Sequence, residues 1–262
     1  MIIVKIQGGR GNQLFQYATG RALALRHNTS LALDISAYKT ADRKREFGLD
    51  ELNVTYTLAP SWKKFFSRRI SEQGVIFDSK ILELPNNVCL EGYFPHFEYF
   101  SDFGHTIRQE ITLKQPQKIV ASPVYHDIQN TLSVAIHVRR TDYTRIKNES
   151  GSLALPIDYY LRAIASMRDK YPDSKFFIFS DDIAWCKENF PPSVEFYFVN
   201  ENRALSDCEE FIIMSQCKHQ IIANSTLSAW AGWLNPNPHK IIITPKDWGH
   251  PTNPSLPEWI RI

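Results

Sequence analysis

Residues 133–182 read SVAIHVRRTDYTRIKNESGSLALPIDYYLRAIASMRDKYPDSKFFIFSDD. The segments SVAIHV and KFFIFS are nearly continuous apolar runs, which are typical of strands buried on both faces of a parallel sheet. The segment PIDYYLRAIASMRDKY between them is the helix that would connect two such strands. This stretch therefore predicts a βαβ unit.

The same alternation extends in both directions from this unit. Towards the C-terminus follow helix DIAWCKENF, strand VEFYFV, helix DCEEFIIMSQC, strand QIIA, helix TLSAWAGWL and strand KIIIT. At the N-terminus, strand Ile2–Ile6, a glycine loop, a helix from about Asn12 to His27 and strand Leu31–Ile35 form another βαβ unit. Between Ala41 and about Thr131 the pattern is less regular.

This organisation predicts an α/β fold with two nucleotide-binding-like domains, residues 1–130 and 131–262. Ligands of such sheets bind at the carboxyl ends of the strands, so we expect them in a cleft between the domains.

The bulk composition excludes several classes of protein. With 30 Lys and Arg against 28 Asp and Glu, the formal charge is +2, whereas a nucleic-acid-binding domain is normally clearly basic. The N-terminus lacks the pattern of a secretory signal, and no apolar run approaches the roughly 18–20 residues of a membrane span. Four cysteines form no CxxC pair and are expected to be ordinary thiols. We expect a cytoplasmic protein.

The segment HVRRTDY at 137–143 places two arginines directly after a buried strand. A guanidinium group presents a planar fork of donors that suits phosphate oxygens, so either Arg139 or Arg140 could hold a diphosphate. The alternative is a surface ion pair with Asp142.

Two further strand ends carry polar residues. Asn224, Ser225 and Thr226 lead into a helix, whose N-terminus could bind an anion, although a Ser or Thr caps many helices with no ligand. After KFFIFS, Ser180, Asp181 and Asp182 could meet a nucleotide, with a carboxylate accepting hydrogen bonds from guanine. Alternatively, Asp182 caps the following helix, or both carboxylates bind a divalent cation.

The loop GGRGNQ at 8–13 and Asp34 have about the spacing of a dinucleotide-binding fingerprint. Leu14, however, stands where that fingerprint needs a small residue for close packing of helix and strand. We therefore expect the loop to present backbone N–H groups and polar side chains to sugar hydroxyls. The residues of this predicted acceptor loop are Gly9, Gly11, Asn12 and Gln13.

Two other features have a simple structural interpretation. Trp230 and Trp233 are expected in the core rather than as a sugar platform. The basic stretch Lys63–Arg69 is expected to be solvated, with contact to an anionic membrane or a glycolipid as the alternative.

Four segments together resemble the alpha-1,2-fucosyltransferases of glycosyltransferase family 11. These are GGRGNQLFQYA at 8–18, HVRRTDY at 137–143, FFIFSDDIAWCKENF at 176–190 and CKHQIIANSTLSAWAGWLN at 217–235. Their joint occurrence in this order is far more specific than any one of them.

The resemblance implies a GT-B type fold of two Rossmann-like domains, the N-terminal one on the acceptor side and the C-terminal one binding GDP-fucose. It also implies inverting, metal-independent transfer without a cofactor, usually to a terminal galactose. His137, Arg139 and Arg140 correspond to the donor motif, with Arg139 as the diphosphate ligand. Asp142, beside the arginines, is the candidate catalytic base.

Some positions depart from the family pattern. Thr141 replaces a common glycine, Arg10 replaces a residue such as leucine, and SAWAGW replaces a more typical SWWGAW. The alternatives are a transferase that uses another GDP-sugar, a nicotinamide-dependent oxidoreductase, and a non-catalytic glycan-binding module.

Overall fold

The computed structural model describes residues 1–39, 45–60, 68–72, 75–148, 151–192, 195–202 and 204–262. It divides into two compact units, Met1–Lys114 and Gln115–Ile262, each with its own parallel sheet. The predicted α/β class with two Rossmann-like domains is confirmed.

The division falls after Lys114, ahead of the boundary predicted at residue 130. Helix Pro123–Asn130 packs with the second sheet, because Ser133 on the first strand of that sheet donates its hydroxyl to the carbonyl of Ile128 at 2.9 Å. The segment is thus the entry to the second unit rather than the end of the first.

In the described residues of the first unit, the strands are β1 Ile2–Lys5, β2 Leu31–Asp34, β3 Thr57–Leu58, β4 Arg68–Ser71 and β5 Val88–Glu91. They are parallel and lie in the order β3-β2-β1-β5-β4. Helix Arg10–Arg26 crosses from β1 to β2 and presses closely on the sheet, since a β-carbon at Gly20 would lie 2.2 Å from the Val4 side chain. The other described helices are Gly104–Glu110 and the 3₁₀ helices Ser36–Tyr38, Ser79–Glu83 and Phe97–Phe103.

The strands that the structure describes in the second unit are β6 Ser133–Val138, β7 Lys147–Asn148, β8 Gly151–Ser152, β9 Lys175–Ser180, β10 Phe196–Phe198, β11 His219–Ile221, β12 Ile242–Thr244 and β13 Ile260–Arg261. Six of these form a parallel sheet in the order β10-β9-β6-β11-β12-β13, and β7 and β8 form a separate antiparallel pair. The helices are Gln117–Val120, Pro123–Asn130, Ile157–Lys170, Ile183–Asn189, Asp207–Ser215 and Thr226–Leu234.

Numbered along the chain, the six strands of the second sheet lie in the order 3-2-1-4-5-6, that of the doubly wound nucleotide-binding fold. The order reverses between β6 and β11. Alternate residues of β6 pack against helix Ile157–Lys170, and the residues between them are also buried, which explains the nearly continuous apolar sequence of this strand. The core on this side contains Val134, Ile136, Val138, Tyr160, Ala163, Met167, Ile178 and Ile221.

Several smaller predictions have outcomes in the structure. Trp230 and Trp233 are buried with ring centroids 5.2 Å apart, as expected of core residues, and all four cysteines are buried and form no disulfide. Residues 63–67 of the basic stretch Lys63–Arg69 lie outside the described residues. In the described parts of the chain, no helix is both long enough and apolar enough to span a membrane.

Candidate active site

The carboxyl ends of β6 and β11 form the topological switch point of the second sheet, where doubly wound folds bind ligands. The arginine loop, residues 139–143, follows β6, and the segment 222–225 connects β11 to helix Thr226–Leu234. The Tyr143 hydroxyl donates to the main-chain oxygen of Asn224 at 3.3 Å. The structure therefore brings together two motifs that lie far apart in sequence.

Asp181, at the end of the neighbouring strand β9, holds the arginine loop in place. Its Oδ1 accepts the backbone N–H of Arg140 at 2.8 Å. Its Oδ2 accepts the Thr141 hydroxyl at 2.6 Å and the Thr141 N–H at 3.3 Å. Thr141, where the family pattern has glycine, thus adds a side-chain bond to this anchor. The guanine contact predicted for Asp181 stays a prediction, and it would share these carboxylate oxygens with the loop.

Arg139 lies between two carboxylates. Its Nη2 is 2.7 Å from Asp142 Oδ1 and its Nη1 is 3.0 Å from Asp181 Oδ2, while the Tyr143 ring lies 5.7 Å from the guanidinium carbon. Burial lowers the pKa of Arg139, but hydrogen bonding to Asp142 and the charges of both carboxylates raise it above the ordinary value. The ion pair with Asp142, considered above as the alternative to a diphosphate contact, is present in the structure. It orients a permanently charged guanidinium that remains 23% exposed.

Arg140 has different surroundings. Its guanidinium carbon lies 3.8 Å from the centroid of the Trp185 ring, and its Nε is 3.4 Å from Asp182 Oδ2. Asp182 Oδ1 accepts the Trp185 N–H at 3.1 Å and caps helix Ile183–Asn189, which is the alternative considered for this residue. Ser180 Oγ accepts the Asp182 N–H at 2.9 Å. These contacts hold Arg140 against Trp185.

His137 is buried at the end of β6. Burial, and next the charge of Arg139, lower its pKa to about 4, so its ring is neutral at physiological pH. Among the described residues, its Nδ1 has no hydrogen-bond partner. The structure thus places a neutral imidazole behind the arginine loop.

The segment after β11 is clamped by its own side chain. The side-chain amide of Asn224 donates to the main-chain oxygens of Leu153 at 2.9 Å and Trp248 at 2.8 Å. The main-chain oxygen of Asn224 accepts from His250 Nε2 at 3.1 Å. The Ser225 side chain makes no capping hydrogen bond to helix Thr226–Leu234. The anion site stays a prediction, and the groups that would form it are the first N–H groups of this helix together with its dipole.

Leu153, Trp248 and His250 are site-supporting residues that the sequence did not indicate. They lie in irregular segments and contribute through backbone oxygens or a single ring nitrogen. Among the described residues, no cluster of three or more His, Cys, Asp or Glu side chains could hold a metal ion.

In the first unit, the glycine loop differs from the prediction. The helix begins at Arg10 rather than Asn12, with Gly9 as its N-cap residue. The predicted contact of Gln13 with sugar hydroxyls is wrong, because this buried amide is used by the backbone. Its nitrogen donates to the oxygens of Gly8 at 3.1 Å and Glu46 at 2.8 Å, and its oxygen accepts the N–H of residue 48 at 2.9 Å.

The rest of this loop is divided between surface and interior. Gly11 is buried, whereas Gly9 and Asn12 are partly exposed. Asp34, the acidic residue of the suspected fingerprint, accepts the N–H of Ser36 at 3.0 Å, and Leu14 is fully buried. Gly9 and Asn12 remain the accessible part of the predicted acceptor loop.

Comparison with known proteins identifies the family. The profile of Glycosyl transferase family 11 matches residues 60–262. An alpha-1,2-colitosyltransferase of Escherichia coli is 31% identical over an alignment covering all of this chain and 99% of the relative. Galactoside alpha-(1,2)-fucosyltransferase 2 of Pongo pygmaeus is 26% identical, with 87% of this chain and 67% of that protein covered.

The fold has counterparts among solved structures. The crystal structure of POFUT1 in complex with GDP-fucose superposes with a TM-score of 0.57 at 14% identity, covering 93% of this chain and 97% of that one. At this identity the likeness concerns the fold alone. The family assignment rests on the sequence matches, which span most or all of the chain, and on their agreement with the doubly wound sheets described above. The chain belongs to glycosyl transferase family 11.

Proposed function

We propose that this protein transfers L-fucose from GDP-β-L-fucose to the 2-hydroxyl of a terminal galactose in a glycan, with inversion at the anomeric carbon. The observation that carries the proposal is the contact, at the switch point of the second sheet, between the loop of Arg139 and the segment leading into helix Thr226–Leu234, where the Tyr143 hydroxyl donates to the main-chain oxygen of Asn224 at 3.3 Å. This contact brings the guanidinium-bearing loop and the helix N-terminus to the same edge of the sheet. Both favour the developing negative charge of a departing diphosphate. The fucosyltransferase names of relatives support the donor sugar.

In this mechanism the galactose hydroxyl attacks the anomeric carbon from the face opposite the diphosphate. The new C–O bond forms as the bond to the diphosphate oxygen breaks, and the electron pair leaves with GDP. Because the donor has the β configuration, a single displacement gives the α linkage. Arg139 stabilises the leaving group, and the charge of the guanidinium needs no metal to assist it.

Asp142 orients Arg139 in this proposal. Its Oδ1 lies 2.7 Å from Nη2 of that guanidinium in an ion pair, so the charge of the carboxylate orients the donor fork for the diphosphate. The proton of the attacking hydroxyl goes to the departing phosphate. A base role for Asp142, worth a factor of about 10²–10⁴, is the competing assignment. Asparagine at this position keeps the hydrogen-bond acceptor and would lose that factor only if Asp142 were the base.

A second donor has specific support. The colitosyltransferase relative is 31% identical over the whole chain, so a GDP-linked deoxy sugar related to fucose is the alternative substrate. Competition between GDP-fucose and GDP-colitose in the same transfer assay separates the two, since the better donor has the higher kcat/KM.

The function is tested first by calorimetric titration with GDP in EDTA, with NAD and UDP as controls, and then by transfer from GDP-fucose to lactose. We expect selective GDP binding, and transfer that EDTA does not abolish. Arg139→Ala should reduce transfer by about 10²–10³-fold or more, the usual cost of removing one charge-stabilising donor. Arg168→Ala, on the exposed face of helix Ile157–Lys170, is the matched control and should leave both measurements unchanged.

Two results would contradict the proposal. Near-normal transfer by Arg139→Ala would remove the assigned role of that residue. Loss of transfer in EDTA that Mn²⁺ restores would favour the metal-binding alternative for Asp181 and Asp182.

A further inference from the structure

The first sheet has its own switch point, between β1 and β5. The glycine loop follows β1, and the segment GYFPH at 92–96 follows β5. By the same topological rule, this edge of the first unit is a place where ligands bind. The segment 92–96 has no role in the proposed donor site.

Buried amides make this edge rigid. The Gln16 side chain joins the two strand ends, with its nitrogen donating to the oxygen of Gly92 at 2.9 Å and its oxygen accepting the N–H of Gln7 at 3.0 Å. The Tyr38 hydroxyl donates to the oxygen of Gly8 at 2.8 Å, and the same oxygen accepts the Gln13 amide. The loop backbone is therefore fixed before any ligand arrives.

The backbone after β5 turns one aromatic side chain inward and the next outward. Phe94 is fully buried, packs on Tyr99 at 5.9 Å between ring centroids, and has a φ of +50°, a conformation that a bulky residue rarely adopts. Glu72 maintains it by accepting the N–H groups of Tyr93 at 2.7 Å and Phe94 at 3.0 Å. At Gly92, a β-carbon would lie 2.5 Å from the Glu72 side chain, so only glycine fits.

As a result Tyr93 stands at the surface, 38% exposed. Gly8, with a φ of +80°, lies beneath it. A β-carbon at Gly8 would be 3.3 Å from the Tyr93 ring and 2.9 Å from Asn12 Nδ2, so the glycine lets ring and amide converge. A β-carbon at Gly9 would have no described heavy atom within 4 Å, so the surface beside this pair is open.

We propose that Tyr93 is the platform on which the acceptor's terminal sugar stacks, with the Asn12 amide hydrogen-bonding its hydroxyls. The inference rests on the proposed function and adds an acceptor residue to it. One face of a galactose ring consists largely of C–H groups, which pack on an aromatic face, while an amide can both donate to and accept from hydroxyls.

The chemistry of this edge suits a neutral sugar better than a diphosphate. Arg10, the cation within the glycine loop, donates to the oxygen of Gly48 at 3.0 Å and pairs with Glu51 at 3.1 Å. Its charge is therefore already matched by a carboxylate. The other groups that converge here, an aromatic ring and an amide, are uncharged.

The test uses the full chain, with GDP-fucose as donor and lactose as acceptor. Tyr93→Ala should raise the KM for lactose about tenfold, the equivalent of one lost aromatic contact, and leave the Kd for GDP unchanged. Tyr93→Phe should stay within about threefold of the parent because it keeps the ring. Leu58→Ala is the matched control, since this residue is 56% exposed on edge strand β3 of the same sheet.

Three outcomes decide the proposal. An unchanged lactose KM in Tyr93→Ala, with normal GDP binding, overturns it. An increase in the KM for GDP-fucose instead of lactose also overturns it, because the ring would then belong to the donor site. If the parent protein transfers nothing to lactose, the acceptor named in the proposed function is wrong, and this result does not concern the Tyr93 platform. Saturation-transfer NMR with lactose then tests the platform: binding lost in Tyr93→Ala but kept in Tyr93→Phe supports it, and any other pattern overturns it.

Discussion

Replacing Asp181 with asparagine should disconnect the arginine loop from the sheet that supports it. The native Oδ2 accepts the Thr141 hydroxyl and the Thr141 N–H and pairs with Nη1 of Arg139, and an amide nitrogen there would face those groups with its own hydrogens. The remaining amide oxygen can keep only the bond to the Arg140 N–H. The substitution also removes a negative charge 3.0 Å from Arg139.

The size of the effect follows from these bonds. Hydrogen bonds to a charged group contribute about 1.5–3 kcal/mol each, but Asp181 is partly exposed, and the loop can relax. We therefore expect the free energy of unfolding to fall by about 1–3 kcal/mol. A displacement of Arg139 by about 1 Å is sufficient to reduce turnover about 10²-fold. We expect kcat to fall by that factor.

Asp182→Asn is the matched control, one residue along the chain. Asparagine caps a helix as well as aspartate does, and the contact of Asp182 with Arg140 is long at 3.4 Å. This variant should differ from the parent by less than about threefold in kcat and about 0.5 kcal/mol in stability. Urea unfolding and steady-state kinetics measure both quantities in each variant.

The same experiment separates positioning from a guanine contact. Inosine diphosphate lacks the exocyclic amine of guanine, so a carboxylate that binds guanine discriminates between GDP and IDP. If Asp181 positions the loop, Asp181→Asn should weaken GDP and IDP binding by the same factor. Wild-type kcat in Asp181→Asn would refute the reasoning, and a loss confined to GDP would restore the guanine assignment.

Two other predictions test the structural basis of the sites. Because the folded pKa of His137 is depressed to about 4 from an ordinary 6.5, its stabilising contribution is complete above pH 6.5 and is lost as the pH falls towards 4. Urea unfolding should show a loss of about 2 kcal/mol between pH 7 and 5, and His137→Gln should remove that share of the pH dependence. Gln13→Ala removes three hydrogen bonds and leaves the oxygen of Glu46 and the N–H of Gly48 without this partner, while the oxygen of Gly8 keeps its bond from Tyr38. The variant should lower the unfolding free energy by about 2–4 kcal/mol, with unchanged GDP binding if the loop is purely structural. Glycine-loop variants with normal stability but weakened GDP binding would contradict the purely structural role of this loop.

The C-terminal sheet was predictable because its strands are buried on both faces. A strand such as SVAIHV must be largely apolar, and the charged residues of the arginine loop follow directly at its end. The N-terminal sheet was less predictable from the sequence. Strands β3 and β4 lie at its edges and are largely exposed, so their sequences Thr57–Leu58 and Arg68–Ser71 carry no apolar run.

The site residues show a similar limit. Sequence identified Arg139, Asp181 and Ser225 because charged and hydroxyl groups follow buried strands. It could not show that Asp181 binds backbone N–H groups, since an aspartate after a buried strand can bind either a ligand or a neighbouring loop. Gln13 was misassigned for the same reason: a polar amide suggests exposure, yet this one is fully buried by satisfying three main-chain groups.

The two sheets, each considered alone, offer different chemistry at equivalent topological positions. The second has a permanent cation and a helix N-terminus, which suit a group that gains negative charge during reaction. The first has an exposed ring and an amide over a glycine, which suit an uncharged ligand with apolar and hydroxyl faces. A sugar transfer from a nucleotide needs one site of each kind. Variants at Arg139 should therefore affect the donor and variants at Tyr93 the acceptor, and a crossed pattern would show that the assignment of chemistry to sheets is reversed.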